Sequence, residues 1–186
     1  MQRTRLLLLT VLTLALGAVV SAPAAAQGPP MPTPGPEHEV LKMDDGVWDA
    51  VVEFSTPGGP MTSKGVETNT IGCGGLCLIT DFKGEMGPGM TFHGHGMTAY
   101  DPMKKKYVGS WTDSMSSGMN VGETTYDAAA KKASGSMEGP DPTGKIVKSR
   151  TVVEYVDPDH RVMTMFNAGP DGKEAQTMKI SYTRRK

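Results

Sequence analysis

The 186-residue sequence lacks a second long apolar run, a surplus of positive charge and the short motifs that identify common enzymes. It contains no G-x-S-x-G nucleophile elbow and no glycine-rich loop that opens a helix to hold phosphate. Its two cysteines are not in the C-x-x-C spacing of a thioredoxin-like redox site. These absences argue against hydrolysis, nucleotide binding and disulfide exchange, and they favour a non-catalytic protein, with an enzyme as an alternative left open.

The one long apolar run lies at the N-terminus and predicts export. Arg3 and Arg5 precede the apolar stretch 6–20, and small residues follow up to Ala26. This order is typical of a secretory signal peptide, so we expect cleavage after Ala26 and a periplasmic or extracellular protein. The run is shorter than the roughly 20 residues of a spanning helix, so we expect no stable membrane insertion after cleavage. Removing two arginines takes the formal charge from −1 to −3, which argues against nucleic acid as a partner.

The rest of the chain predicts one all-β domain behind a linker. Five prolines between Pro29 and Pro36 make residues 27–36 a polyproline-like linker, so the domain covers residues 37–186. Residues 37–43 predict a short helix. About ten short strands follow, separated by turn signals such as Asp101-Pro102, and this spacing indicates an antiparallel barrel or sandwich.

The two cysteines of the segment IGCGGLCLI predict a disulfide. On one straight strand, the Cα atoms of Cys73 and Cys77 would lie about 13 Å apart, beyond a disulfide's limit of about 7 Å. A three-residue glycine-containing loop instead places them opposite each other across a hairpin. An exported protein with two cysteines favours a bridge, with free thiols or copper ligands as the alternatives.

The segment TFHGHGMTAY contains two histidines in strand alternation. His93, His95 and Met97 would share one face, with the two histidines about 7 Å apart along the strand. Imidazole and thioether together favour copper. The chain contains 14 methionines, however, which is typical of general core filling, and no further histidine completes the set. We therefore expect no cofactor, with copper at these residues as the alternative.

Several segments together resemble a known family. FHGHGMTAYDPMKKKYVGSWTDSMSSG, the later DPTGKIVKSRTVVEYVDPDH and the ending DGKEAQTMKISYTRRK are similar to the domain-of-unknown-function family 1579. The resemblance covers nearly all of the chain after the signal, and it implies an up-and-down barrel of the calycin or lipocalin type. In lipocalin-like barrels, a G-x-W such as Gly46-Val47-Trp48 plugs one end. An arginine of the last strand, here Arg184, can lie over the indole; the alternative is that Trp48 is an ordinary core residue.

The resemblance implies no reaction, but a barrel of this type raises the expectation of an internal pocket. Tyr100, Trp111, Asp113 and Arg150 are the polar and aromatic residues that we predict to line it. The alternative is that Asp113 and Arg150 form a structural pair and that Tyr100 belongs to a turn. We therefore expect an exported barrel that binds a small, largely apolar molecule, with envelope copper binding as the alternative and no prediction of oligomeric state.

Overall fold

The computed structural model describes residues 30–56, 58–87, 89–141, 143–169 and 172–186. The chain divides into two compact units, residues 1–31 and 32–186. Only two residues of the first unit are described, and they form neither helix nor strand; the predicted signal peptide, 1–26, lies outside the described residues. Within the part that is described, no helix combines the length and apolar character needed to cross a bilayer.

The described residues of the second unit form one short helix, ten strands and a single 3₁₀ turn. The elements are α1 His38–Lys42, β1 Gly46–Thr56, β2 Gly59–Gly72, the 3₁₀ turn Cys73–Gly75, β3 Cys77–Gly87, β4 Met90–Asp101, β5 Lys106–Asp113, β6 Asn120–Asp127, β7 Lys132–Pro140, β8 Ile146–Asp157, β9 His160–Ala168 and β10 Glu174–Arg184. The predicted number of strands and the predicted helix are both confirmed.

Each strand pairs antiparallel with the next along the chain, and β1 pairs with β10. The sheet is therefore a closed barrel, which decides between the two predicted architectures. Alternation sets which side chains face inward: in β1 Trp48, Ala50 and Val52 are buried, while the residues between them are exposed. Closure leaves no unpaired strand edge along the barrel.

The two ends of the barrel differ in what covers them. We call the end that carries α1, the 3₁₀ turn and the connections 102–105, 128–131 and 158–159 the closed end. The opposite end, where β1, β3, β5, β7 and β9 finish and β2, β4, β6, β8 and β10 begin, we call the open end.

The three hairpin turns of the closed end are stabilised by the same kind of hydrogen bond. In each of them the aspartate that ends the preceding strand accepts backbone N–H groups of the turn through its side chain; these residues are Asp101, Asp127 and Asp157. An aspartate that bonds the backbone two or three residues on stabilises a tight turn locally. The closed-end turns are thus specified by their own short sequences.

The disulfide predicted between Cys73 and Cys77 is present, with the Cα atoms 5.6 Å apart. Cys73 lies in the 3₁₀ turn, and Cys77 begins β3 opposite Gly72. Gly74 between them adopts φ +66°, a left-handed conformation that glycine enters without a steric penalty. The short glycine-containing loop therefore brings the two sulfurs together as the sequence predicts.

Two aromatic rings lie directly over inward-facing glycines of the barrel wall. A Cβ atom on Gly94 would be 2.2 Å from a ring carbon of Trp111, and one on Gly65 would be 2.4 Å from the ring of Phe82. Only glycine leaves room for rings at this distance, so these positions keep the Trp111 and Phe82 rings against the wall.

Candidate functional site

A buried charged cluster fills the barrel interior next to the closed end. Its charged members are Arg161 of β9, Glu67 of β2 and Asp44, which lies between α1 and β1. Arg161 Nη1 lies 3.0 Å from Asp44 Oδ1, Arg161 Nη2 donates to Glu67, and both Arg161 and Glu67 have side chains that are only 8% exposed. We refer to these three residues as the closed-end cluster.

Neutral side chains complete the hydrogen bonding of the closed-end cluster. Asn69 Nδ2 donates to Glu67 Oε1 at 2.7 Å and to the Asp44 carbonyl at 2.9 Å. The Tyr155 hydroxyl donates to Asp44 Oδ2 at 3.1 Å, and Tyr182 hydrogen-bonds Glu67. Such partners make it possible to bury three charged groups without leaving most of their polar atoms unpaired.

Burial and the neighbouring charges act in opposite directions on the pKa values of Arg161 and Asp44. Burial works against the charge of Arg161, but Asp44 and Glu67 together raise its pKa above the ordinary value. Burial raises the pKa of Asp44, and the attraction of Arg161 opposes that rise. The arginine is therefore a fixed positive charge around which the two carboxylates are arranged.

The buried Tyr107 and Tyr182 and the half-buried Tyr155 make stability sensitive to alkaline pH. Burial raises the pKa of Tyr107 to about 12 and raises those of Tyr155 and Tyr182 as well. An unfolded tyrosine titrates near about pH 10, so above that pH the unfolded state releases protons that the folded state retains. We expect the stability contributed by the neutral phenols to be complete below about pH 10 and to be lost as the pH rises towards 12. Melting temperatures measured between about pH 9 and 12 should fall less steeply in Tyr155→Phe; an unchanged slope would contradict this account.

Trp48 connects the closed-end cluster to the last strand. Its ring is 1% exposed and its Nε1 donates to the Asp44 carbonyl at 2.8 Å. The guanidinium carbons of Arg161 and Arg184 lie 4.5 Å and 4.1 Å from the ring centroid. The structure thus brings together Trp48 and Arg184, the two residues predicted to plug one end. Arg161 is a second cation on the same ring that the sequence analysis missed.

Helix α1 covers the same end and belongs to an apolar cluster there. Leu41 packs with Leu78 and Tyr107, and the Tyr107 hydroxyl donates to the Glu37 carbonyl at 2.9 Å. Tyr100 belongs to this packing, because its ring centroid lies 5.3 Å from that of Tyr107. Tyr100 is therefore part of the closed end, and the structure does not group it with the other residues predicted to bind a ligand.

Several inward-facing side chains towards the open end are apolar and only partly buried. They pack against the core on one side and retain exposed surface on the other; the set is Phe54, Phe92, Trp111, Met163 and Met178. Phe54 and Met178 continue inward faces whose next members towards the closed end, Val52 and Ile180, are buried. Solvent therefore reaches apolar side chains of the interior from the open end.

Trp111 and Asp113 are joined at the rim of the open end. Trp111 Nε1 donates to Asp113 Oδ2 at 2.8 Å. The other oxygen, Asp113 Oδ1, accepts the backbone N–H groups of Met115 and Ser116. Asp113 therefore couples the orientation of the Trp111 indole to the β5–β6 loop, whose Met115 and Met119 side chains are exposed.

Arg150 does not share this site, and the prediction that it faces the interior with Trp111 is wrong. Its side chain lies on the exposed face of β8, with the guanidinium 4.0 Å from the Phe166 ring centroid and a two-pronged ion pair to Glu174. The alternative pairing of Asp113 with Arg150 is not formed either. The inward face of β8 is the other one, which carries Ser149, Thr151 and Val153.

Asn167 of β9 is a polar residue near the open end that the sequence analysis missed. It lies opposite Ser149 of β8, and its Oδ1 atom is buried without a hydrogen-bond partner among the described residues. A buried acceptor without a partner is uncommon in native proteins. The sequence did contain a pattern that indicates an inward-facing Asn167. Alternation along β9 places it on one face with Arg161, Met163 and Met165.

His93, His95 and Met97 lie on the outer face of β4, outside the barrel interior. His95 contacts Asp81 of β3 through its Nδ1 atom at 2.5 Å. Among the described residues, no three histidine, cysteine or acidic side chains converge as a ready metal site. Two depressions are also present among the described residues: one of about 370 Å³ on the outer wall beside Asp81, and one of about 310 Å³ at the closed end, lined in part by Trp48 and Arg184.

A closed ten-stranded antiparallel barrel with one short helix is consistent with a calycin-like fold, and solved structures agree. The fold is similar to that of an S-type phycobiliprotein lyase from Guillardia theta, with a TM-score of 0.55 and 12% identity over 81% of this chain and 93% of that chain. It is also similar to Rv2717c from M. tuberculosis, with a TM-score of 0.61 and 11% identity over 82% and 99%. At such identities the likeness concerns the fold alone.

The family model described as protein of unknown function (DUF1579) matches residues 33–184, and the chain belongs to this family. The resemblance seen in the sequence is thereby confirmed. A comparison with curated proteins finds no match.

Proposed function

We propose that this protein is an exported barrel that binds a small, largely apolar molecule through its open end. The observation that carries the proposal is the partial exposure of the inward-facing Phe92, Trp111 and Met163, opposite an end filled by charged and helical residues. Apolar side chains that solvent reaches inside a concave wall gain stability when a ligand covers them. A fold shared with a phycobiliprotein lyase is compatible with this role.

The proposed ligand carries a hydrogen-bond donor in addition to its apolar body. Asn167 Oδ1 is a buried acceptor without a hydrogen-bond partner among the described residues, and a hydroxyl or amide group of the ligand would satisfy it. The carboxylate of Asp113 is already engaged by Trp111 and by the loop backbone. We therefore propose binding without catalysis, because the carboxylate at this rim serves as a structural anchor.

Export is the second part of the proposal. The disulfide between Cys73 and Cys77 supports it, because structural disulfides persist mainly in oxidising compartments. The signal-like order of residues 1–26 points the same way. The N-terminal residue of the protein recovered from the cell envelope or medium tests this part: Gln27 supports export with processing, and Met1 contradicts it.

Titration with N-phenyl-1-naphthylamine, an uncharged apolar dye, tests the binding part. We expect saturable uptake by the disulfide-intact protein, and an affinity at least about 10-fold lower in Trp111→Ala, because the indole forms part of the apolar surface. Phe166→Ala is the matched control, since it removes an aromatic ring from the outer face of the barrel. No saturable uptake, or equal losses in the two variants, would contradict the proposal.

A further inference from the structure

The outer wall of the barrel carries a pair of histidines, and packing inside the barrel fixes their alignment. Gly94, between His93 and His95, faces inward beneath the Trp111 ring, where no Cβ atom fits. Because position 94 must face inward, alternation turns both neighbouring imidazoles outward on the same side, about 7 Å apart along the strand. The spacing therefore follows from packing inside the barrel and does not depend on the histidines themselves.

A carboxylate on the next strand orients one of the two imidazoles. Asp81 lies directly opposite His95 in the β3–β4 pair, and its Oδ1 atom is 2.5 Å from His95 Nδ1. When His95 donates an Nδ1–H to Asp81, its Nε2 is the ring nitrogen left to bind a metal. A carboxylate that holds the far nitrogen of a ligating histidine is the usual partner of such ligands in metal sites. Both side chains are well exposed, at 66% for His95 and 48% for Asp81.

The other side chains around the pair limit which metal the wall can hold. Lys83 lies opposite His93 and disfavours a cation, whereas Thr112 on the other side of His95 is neutral. With two imidazoles and water as ligands, the order of affinity among divalent first-row metals places copper first. The thioether of Met97, 50% exposed two residues further along, is a softer donor that the divalent ion does not need.

We propose that His93 and His95 form a Cu(II) site on the outer wall, with Asp81 as the residue that positions His95. The site is independent of the ligand proposed for the interior, because the histidines and Trp111 lie on opposite faces of the wall. It goes beyond the copper alternative drawn from the sequence, since Asp81 supplies the orientation that the sequence did not reveal.

Calorimetric titration of the disulfide-intact protein with Cu(II), in the presence of glycine as a competitor, tests the site. We expect one ion per chain, bound at least about 10-fold more weakly by His93→Ala/His95→Ala and several-fold more weakly by Asp81→Asn. The electron paramagnetic resonance spectrum should show coupling to two imidazole nitrogens, which the double variant loses.

The chain provides its own control in His160, which also contacts a carboxylate, Asp157, at 2.9 Å but has no second histidine beside it. His160→Ala should bind Cu(II) as the unmodified protein does. Equal affinity in the unmodified protein and in His93→Ala/His95→Ala, or a loss of the same size in His160→Ala, would overturn the proposal. Dye uptake should be unchanged in the double variant, so failure of this site and failure of the interior site give different results.

Discussion

Replacing Arg161 by methionine is expected to lower the free energy of unfolding by about 3–5 kcal/mol, because the change leaves buried carboxylates without their counter-charge. Methionine resembles the arginine stem in volume, so the loss reflects charge and hydrogen bonding more than a cavity. Glu67 loses the donor that is nearest to it, and Asp44 loses an ion pair of 3.0 Å. Urea unfolding at pH 7, followed by circular dichroism, measures the difference.

Arg150→Met is the matched control for this prediction. Arg150 also contacts a carboxylate and an aromatic ring, but its side chain is 43% exposed on the outer face. Exposed ion pairs of this kind contribute up to about 1 kcal/mol. The double variant Arg161→Met/Glu67→Gln should recover part of the loss, since it also removes one of the unpaired charges. Similar losses in the two single arginine variants would show that the buried cluster is not what stabilises the barrel.

Replacing Trp48 by alanine is expected to cost about 3–5 kcal/mol, the range for deleting a fully buried large aromatic side chain. The ring is the largest fully buried side chain among the described residues, and it contacts the guanidinium groups of both Arg161 and Arg184. Its removal opens a cavity and withdraws the aromatic face from two cations. Thermal and urea unfolding of the variant provide the measurement.

Trp48→Phe separates packing from hydrogen bonding at this position. Phenylalanine keeps most of the aromatic contact but loses the N–H that donates to the Asp44 carbonyl, so we expect a loss well below that of alanine. A phenylalanine variant as unstable as the alanine variant would mean that the hydrogen bond, and not the ring, holds this end together. Neither change should abolish dye uptake at the open end in protein that is still folded.

The sequence predicts the features of this barrel that depend on local patterns. Strand alternation and short turn signals are enough for ten strands, and a glycine-containing loop is enough for the disulfide. The contact between Trp48 and Arg184 could be predicted only because the family resemblance implies that the first and last strands lie side by side. In each of these cases, the information lies within a few adjacent residues or in a recognised pattern.

The closed-end cluster and the inward face of β8 were not predictable in the same way. Asp44, Glu67 and Arg161 belong to distant parts of the sequence, and nothing local marks any of them as buried. In β8 both alternating faces mix polar and apolar residues, so alternation alone does not show which one turns inward. Arg150 was therefore assigned to the wrong side, and only the closure of the sheet decides between the two.

The pairing of β1 with β10 also determines when this protein can finish folding. Arg184, the last residue of β10, donates to the carbonyls of Met43 and Asp45 and lies over Trp48. The contacts that complete the closed end thus join residues about 140 positions apart, and contacts of such separation form slowly. Until the last strand is available, β1 and β9 each keep an unpaired edge of the kind that promotes aggregation. A nascent chain that stops short of β10 is therefore a sheet without closure and a natural substrate for chaperones and proteases.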